Sequence, residues 1–413
     1  MPESWERPAV PSLPGTGTAP RLHDTATGAR LCSAPDDIIA RLYVCGITPY
    51  DATHIGHANT YLAFDTLQRV WVDAGLEVHY AQNITDVDDP LLERAAATGV
   101  SWRDLADQQI ELFRHDMTAL RILPPQDYVA VTEVIDEIAQ AVAVLLDRGL
   151  AYRVPTSDAD ADDVYFDISA AAETSPWRIG EESNLDREQM LLLSAERGGD
   201  PNRPGKRDPL DALLWRAARE GEPSWPSVLG AGRPGWHIEC SVIALKHLGH
   251  DFSVQGGGAD LVFPHHDLSA GHAAALSGHP LAKVYSHAGL IAYQGEKMSK
   301  SLGNLVLVSE LLRECVPAAG IRLALLAHHY REEWEWTRAG LDEALARLDA
   351  WRGIRSNQHG AVALDVLDQV RQRLADDLDT PGAIAAVDRA VETGVDDPAL
   401  IRALVDALLG IEL

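Results

Sequence analysis

Arg41-Leu-Tyr-Val-Cys-Gly46, read with the residues that follow it, decides the fold of this chain. It has the pattern of a short buried strand that stops at a glycine. After a turn, residues 56–74 carry Tyr61, Phe64, Leu67 and Trp71 at steps of three or four. That is the period of a helix with one buried stripe, and Gly75 offers it a stop. Glu77–Ile84 is rich in β-branched and aromatic residues, as a second strand would be. Strand, helix and strand within ~45 residues make a βαβ unit, which calls for a parallel sheet. The expected class is α/β, with a Rossmann-like domain at its centre.

Outward from this unit the pattern changes. Residues 1–20 hold five prolines and little apolar pattern, so 1–25 is expected to be an irregular surface arm. Residues 26–125 form the first half of the sheet domain. Residues 126–205 read as a connective insertion: an acidic stretch (Asp158, Asp160, Asp162, Asp163), a short strand over 164–168, and the loop Glu196-Arg-Gly-Gly-Asp-Pro-Asn-Arg-Pro-Gly-Lys206. Strand and helix patterns resume over 206–290, the second half of the domain. Residues 291–340 are expected to link it to a helical bundle at 341–413. Breaks in the helical pattern from Ser309 onward are expected at Pro317, Gly340, Gly360, Pro381 and Pro398.

The chain has 413 residues, enough to bury a sizeable core. Its 62 acidic and 35 basic residues give a formal charge of −27. Such a field repels nucleic acid and anionic membrane. No window approaches the ~18 apolar residues of a membrane span, and the N-terminal stretch lacks the basic start and apolar run of a signal peptide. Cys32, Cys45, Cys240 and Cys315 lie far apart without a framework spacing, which fits a reducing, cytoplasmic setting. Lysine is scarce: there are five, at Lys206, Lys246, Lys283, Lys297 and Lys300.

Three constellations carry chemistry. His54-Ile-Gly-His57 sits between the first strand and the first helix, where free N–H groups and the helix dipole favour phosphate. Gly56 lets a ligand approach the backbone. The plain alternative is that the histidines only cap the helix. Lys297-Met-Ser-Lys-Ser301 places two of the five lysines three residues apart, a pair that can neutralise a triphosphate as charge moves to pyrophosphate. Its plain alternative, an exposed basic turn, sits badly with a lysine-poor chain. The third set is Cys45, Cys240 and His265. Two thiolates and an imidazole form a common zinc set and leave one position open for substrate. Taken singly, each of the three would be a buried cysteine or a capping histidine.

The two motifs, in this order and on either side of the insertion, resemble those of class I aminoacyl-tRNA synthetases, which activate an amino acid as its adenylate. Cys45-Gly-Ile-Thr-Pro-Tyr-Asp51, Asn83-Ile-Thr-Asp86, Gly235-Trp-His-Ile-Glu-Cys-Ser241, Gly256-Gly-Gly-Ala-Asp260, Phe263-Pro-His-His266 and Asp379-Thr-Pro381 resemble cysteinyl-tRNA synthetase over roughly residues 22–380. The resemblance implies a class I synthetase catalytic domain and one zinc ion on Cys45, Cys240 and His265 that accepts the thiolate of cysteine. It implies MgATP as co-substrate, with His54, His57, Lys297 and Lys300 on the phosphates. Thr85 would take the substrate ammonium and Trp236 would pack on the cysteine side chain. Gly258 and Asp260 would meet the ribose. Gly46, Ile47, Thr48, Thr60, Asn83, Ile84, Ala259 and Ile291 complete the adenylate site.

Two departures matter. The synthetases carry a glutamate as fourth zinc ligand four residues after the first histidine of the pair, and here that residue is Ser269. The stretch from residue 302 onward holds 11 arginines, no lysine and 19 acidic residues, a poor surface for a polyanion. No anticodon-binding module and no tRNA partner are therefore expected. This combination is similar to the cysteine ligases of mycothiol biosynthesis, a family that joins cysteine to the amine of glucosaminyl-inositol. The loop Glu196, Arg197, Gly198, Gly199, Asp200 and Pro201 resembles that family's signature and is the expected acceptor loop. The likeness implies a monomer with small-molecule partners and no membrane. A shortened cysteinyl-tRNA synthetase and a non-catalytic synthetase-like adaptor stand as alternatives.

Overall fold

The computed structural model describes residues 3–34, 38–50, 53–298 and 303–413. Its centre is a five-stranded sheet of β1 (Ile39–Val44), β2 (Glu77–Ile84), β3 (Asp127–Ala130), β4 (Phe252–Gly258) and β5 (Ala282–Ala288). The spatial order is β5-β4-β1-β2-β3, and every neighbouring pair is parallel. Helix α1 (Ile55–Asp73) crosses between β1 and β2, as the apolar period requires. It is capped at Ala74, and Gly75 follows in the left-handed region at φ +80°. Alternation along β1 assigns its two faces. Ala40, Leu42 and Val44 enter one core with α1 and the C-terminal helices, while Tyr43 and Cys45 enter the other.

The inserted region differs in extent from its reading in the sequence. Asp127–Ala130, within the expected insertion, is an edge strand of the parallel sheet. The separate four-stranded antiparallel sheet is built from Ala151–Val154, Asp163–Phe166, Leu213–Ala217 and Gly232–Pro234, in that order. It thus draws in residues placed in the second half of the domain. Short strands such as these carry no sign of their partner, so their sheet is settled by tertiary pairing. The N-terminal arm is irregular up to Arg21, yet Trp5 is buried and donates its indole N–H to the Ile122 carbonyl at 2.7 Å.

The C-terminal region contains helices Ala318–Leu326, Arg338–Arg352, Ala363–Ala375, Thr380–Thr393 and Pro398–Leu409. Pro317, Pro381 and Pro398 stand at helix starts, where a missing N–H costs nothing. Gly340 does not break the pattern but lies in a first turn capped by Thr337. A buried cluster ties this region to α1. Asp65 accepts from Arg69 and from Arg322, and Arg322 also donates to the Leu409 and Leu120 carbonyls. Among the described residues no helix is long and apolar enough to cross a membrane.

Candidate active site

The strand order reverses between β4 and β1, and in an open parallel sheet the crevice at the carboxyl ends of such strands binds ligands. Cys45 follows β1 directly, its N–H donating to the Gly256 carbonyl of β4 at 3.3 Å. At Gly46 a Cβ would lie 1.7 Å from the Asn83 carbonyl oxygen, so only glycine allows β1 and β2 to run on this closely. Asn83 Oδ1 accepts from the Gly46 N–H at 2.8 Å and the Tyr43 hydroxyl at 3.1 Å, and its Nδ2 donates to Thr85 Oγ1 at 3.0 Å. Asn83 is therefore a strut beneath the site.

His54 caps α1, its Nδ1 accepting from the His57 N–H at 3.4 Å, and the two rings stack at 3.8 Å. The segment after the lysine motif runs antiparallel beside them. Ile55 N–H donates to Val306 O at 2.9 Å and Val308 N–H to Thr53 O at 3.0 Å. This pairing holds one stem of the lysine loop against the start of α1. In the other stem, the backbone of Lys297 pairs with Ala292. Lys300 lies outside the described residues.

Cys45, Cys240 and His265 come from three separate elements and meet in a buried group whose ligand atoms lie within 4.8 Å of one another. The two sulfurs are 3.9 Å apart, and His265 Nε2 is 3.3 Å from Cys240 Sγ. Burial pushes both thiols up. At Cys240 the Cys45 thiol and the His265 imidazole outweigh burial and hold it well below the usual thiol range, while Cys45 stays well above. A divalent metal fits this donor set: three convergent atoms, two of them sulfur, without a carboxylate among them. Ser269 Oγ donates to the His237 carbonyl at 3.1 Å, so its hydroxyl is engaged with the backbone.

A second layer of histidines surrounds the group, and sequence reading did not single them out. His237 Nδ1 is 3.1 Å from His265 Nδ1, and His266 Nε2 is 3.2 Å from Cys45 Sγ. His266 Nδ1 reaches His287 Nε2 at 2.8 Å. Burial lowers His237 and His266 far below the usual imidazole range and His287 to about 3, which favours the uncharged rings. His237 and His266 meet ligands directly, and His287 braces His266. Adjacency to Trp236 and to His265 was the one signal available in the chain for the first two.

A cavity of about 760 Å³ opens over this floor. Of the residues singled out in the sequence, it is lined by Cys45, Gly46, Ile47, Thr48, His57, Thr60, Trp236, Gly258, Asp260 and Arg197–Asp200. Trp236 stacks on His265 at 4.2 Å and so covers the metal-type group. His54, Asn83, Ile84, Thr85, Ala259, Ile291, Glu196, Pro201, Cys240 and His265 are not in the lining. Thr85 is buried and held by Asn83. Arg197 is a strut too, donating to the Asp260 carbonyl at 2.6 Å and the Phe263 carbonyl at 2.5 Å. The cavity also has a charged wall absent from the sequence reading. It includes Asp88 and Asp89 at the start of α2 (Asp89–Thr98) and Arg216 and Arg233 of the antiparallel sheet.

Comparison with known proteins agrees with this geometry. Residues 34–346 match the family of tRNA synthetases class I (C), catalytic domain. L-cysteine:1D-myo-inositol 2-amino-2-deoxy-alpha-D-glucopyranoside ligase of Clavibacter michiganensis subsp. michiganensis is 61% identical, over 99% of this chain and 98% of that one. The ligases of the same name from Thermobispora bispora and Streptomyces avermitilis are 58% and 56% identical, each over 99% of this chain and 100% of theirs. In fold, the chain is similar to Mycobacterium tuberculosis methionyl-tRNA synthetase, with a TM-score of 0.61 at 14% identity, over 90% of this chain and 92% of that one. The chain belongs to the family of L-cysteine:1D-myo-inositol 2-amino-2-deoxy-alpha-D-glucopyranoside ligases, built on the class I (C) tRNA-synthetase catalytic domain.

Proposed function

We propose that this protein joins L-cysteine to the amine of 1D-myo-inositol 2-amino-2-deoxy-alpha-D-glucopyranoside (glucosaminyl-inositol) in mycothiol biosynthesis. The reaction passes through cysteinyl-adenylate and converts ATP to AMP and pyrophosphate. One observation carries the reading: the Cys45, Cys240 and His265 group lies beneath the same cavity that the α1 start, Gly258 and Asp260 line. Cys45, Cys240 and His265 would hold zinc, which when bound supplies a soft acceptor for the cysteine thiolate that a serine hydroxyl cannot match.

The chain's own residues do the rest. Trp236 walls the cysteine side chain, and Thr85 serves the substrate ammonium from beneath. His54 and His57, at the positive end of α1, meet the ATP phosphates together with Lys297 and Lys300. Gly258 admits the ribose and the Asp260 carboxylate takes its hydroxyl pair. Thr48 and Thr60 line the adenylate's path, and the 196–201 loop borders the acceptor. Activation is then mostly positioning and charge stabilisation. A thiol substrate and ATP are both supplied in the cytoplasm, where we place the enzyme, as a monomer with MgATP.

The test is a pair of assays on the zinc-loaded protein. Pyrophosphate should exchange into ATP with cysteine but not serine, and cysteine should be ligated to glucosaminyl-inositol. Charging of tRNA without amide formation would overturn the reading in favour of a shortened synthetase. A related result is expected for Lys300→Ala: single-turnover adenylate formation falls about 100-fold while cysteine binding changes little. An unchanged rate would remove Lys300 from the phosphate site.

A further inference from the structure

We propose that Asp88 is the group that receives the acceptor's ammonium in the cavity and takes its proton before the amide bond forms. The assignment rests on the ligase reading above. It follows from how the carboxylates of the cavity are used. Asp89 is ion-paired with Arg233, and Asp200 takes the Tyr165 hydroxyl and Lys206. Asp211 accepts from the Tyr152 hydroxyl at 2.6 Å and from two backbone N–H groups. Asp260 is assigned to the ribose in the ligase reading, and Glu93 stands exposed at the rim.

Asp88 is different. It caps α2 with one oxygen, accepting the Asp89 N–H at 2.8 Å, while its other oxygen meets no donor among the described residues. It lies three residues beyond Thr85 at the carboxyl end of β2, so it shares the cavity with Cys45 and Trp236. The groups that act on it are Asp89 of its own turn, Arg233 of the antiparallel sheet, His265, and Glu239 of the helix Trp236–Leu248. Burial raises its carboxyl to about 6, so it can hold a proton near neutrality.

The step balances as follows. The sugar ammonium gives one proton to Asp88. The freed nitrogen pair forms the C–N bond at the adenylate carbonyl carbon. The C–O bond to the phosphate breaks and its pair leaves on AMP. The surplus proton on the new amide nitrogen passes to the leaving phosphate.

The experiment compares Asp88→Asn and Asp88→Glu with the unaltered zinc-loaded protein. Asparagine caps a helix as well as aspartate, so α2 keeps its start. The readout is the rate of amide formation divided by the rate of cysteine-dependent pyrophosphate exchange in the same preparation. Two acceptors are used: glucosaminyl-inositol, and hydroxylamine, which is already neutral near pH 7. With the sugar, Asp88→Asn should lower this ratio about 100-fold, and Asp88→Glu should recover part of it. With hydroxylamine the ratio should stay at the unaltered value. Equal losses with both acceptors would reduce Asp88 to a structural cap, and no loss with the sugar would remove it from the step. Failure of the unaltered protein to ligate the sugar would overturn the ligase reading itself, and this assignment with it.

Discussion

Cys240→Ala should release the metal and lower cysteine-dependent pyrophosphate exchange by more than about 100-fold, since loss of even an outer partner of a metal ligand costs ~10–100-fold. The reason is local. Cys45, Cys240 and His265 are the three convergent donors, and Ser269 spends its hydroxyl on the His237 carbonyl. Removing one sulfur leaves two donors, Cys45 and His265. Metal analysis and exchange kinetics check this together. One zinc per chain with normal turnover in the variant would withdraw the ligand assignment.

Asp65→Ala is the change expected to weaken the fold most, by about 3–5 kcal/mol, because it leaves two buried guanidinium groups without their shared counter-charge. Asp65, Arg69 and Arg322 are all buried, and the Leu123 N–H also donates to Asp65 at 2.7 Å. Burial pushes the Asp65 carboxyl up, but Arg322 and then Arg69 outweigh it and hold it below the usual range. The sign follows. A carboxyl depressed in the folded state contributes fully above its unfolded value of ~4 and loses that contribution as the pH falls through the folded one. The unaltered protein should therefore lose stability on acidification in part through Asp65, and the variant should lack that part. Denaturant unfolding at neutral and acid pH measures both, and a loss below about 1 kcal/mol at neutral pH would show that the cluster is not a clamp.

The α1 start and the lysine motif stood out in the chain because each is a compact run of residues, His54–His57 and Lys297–Ser301. The metal-type group was legible only through the resemblance of the segments around it, since 195 positions separate Cys45 from Cys240. His237, His266 and His287 carried no spacing signal of their own. Asp88, Asp89, Arg216 and Arg233 look like ordinary surface charges, and only the packing of the antiparallel sheet beside α2 makes them a cavity wall.

The chain's own periodicity determined β1, α1, β2 and their parallel pairing, because local backbone hydrogen bonding and a single buried face act over a few residues. The tertiary structure alone decided which sheet the strands at 127–130, 213–217 and 232–234 join. It also decided that two cysteines and a histidine from three elements converge, and that Asp65 holds the distant Arg322 beside Arg69 of its own helix. Those outcomes depend on topology and on the cost of burying charge without a partner, and neither is written in any short stretch of sequence.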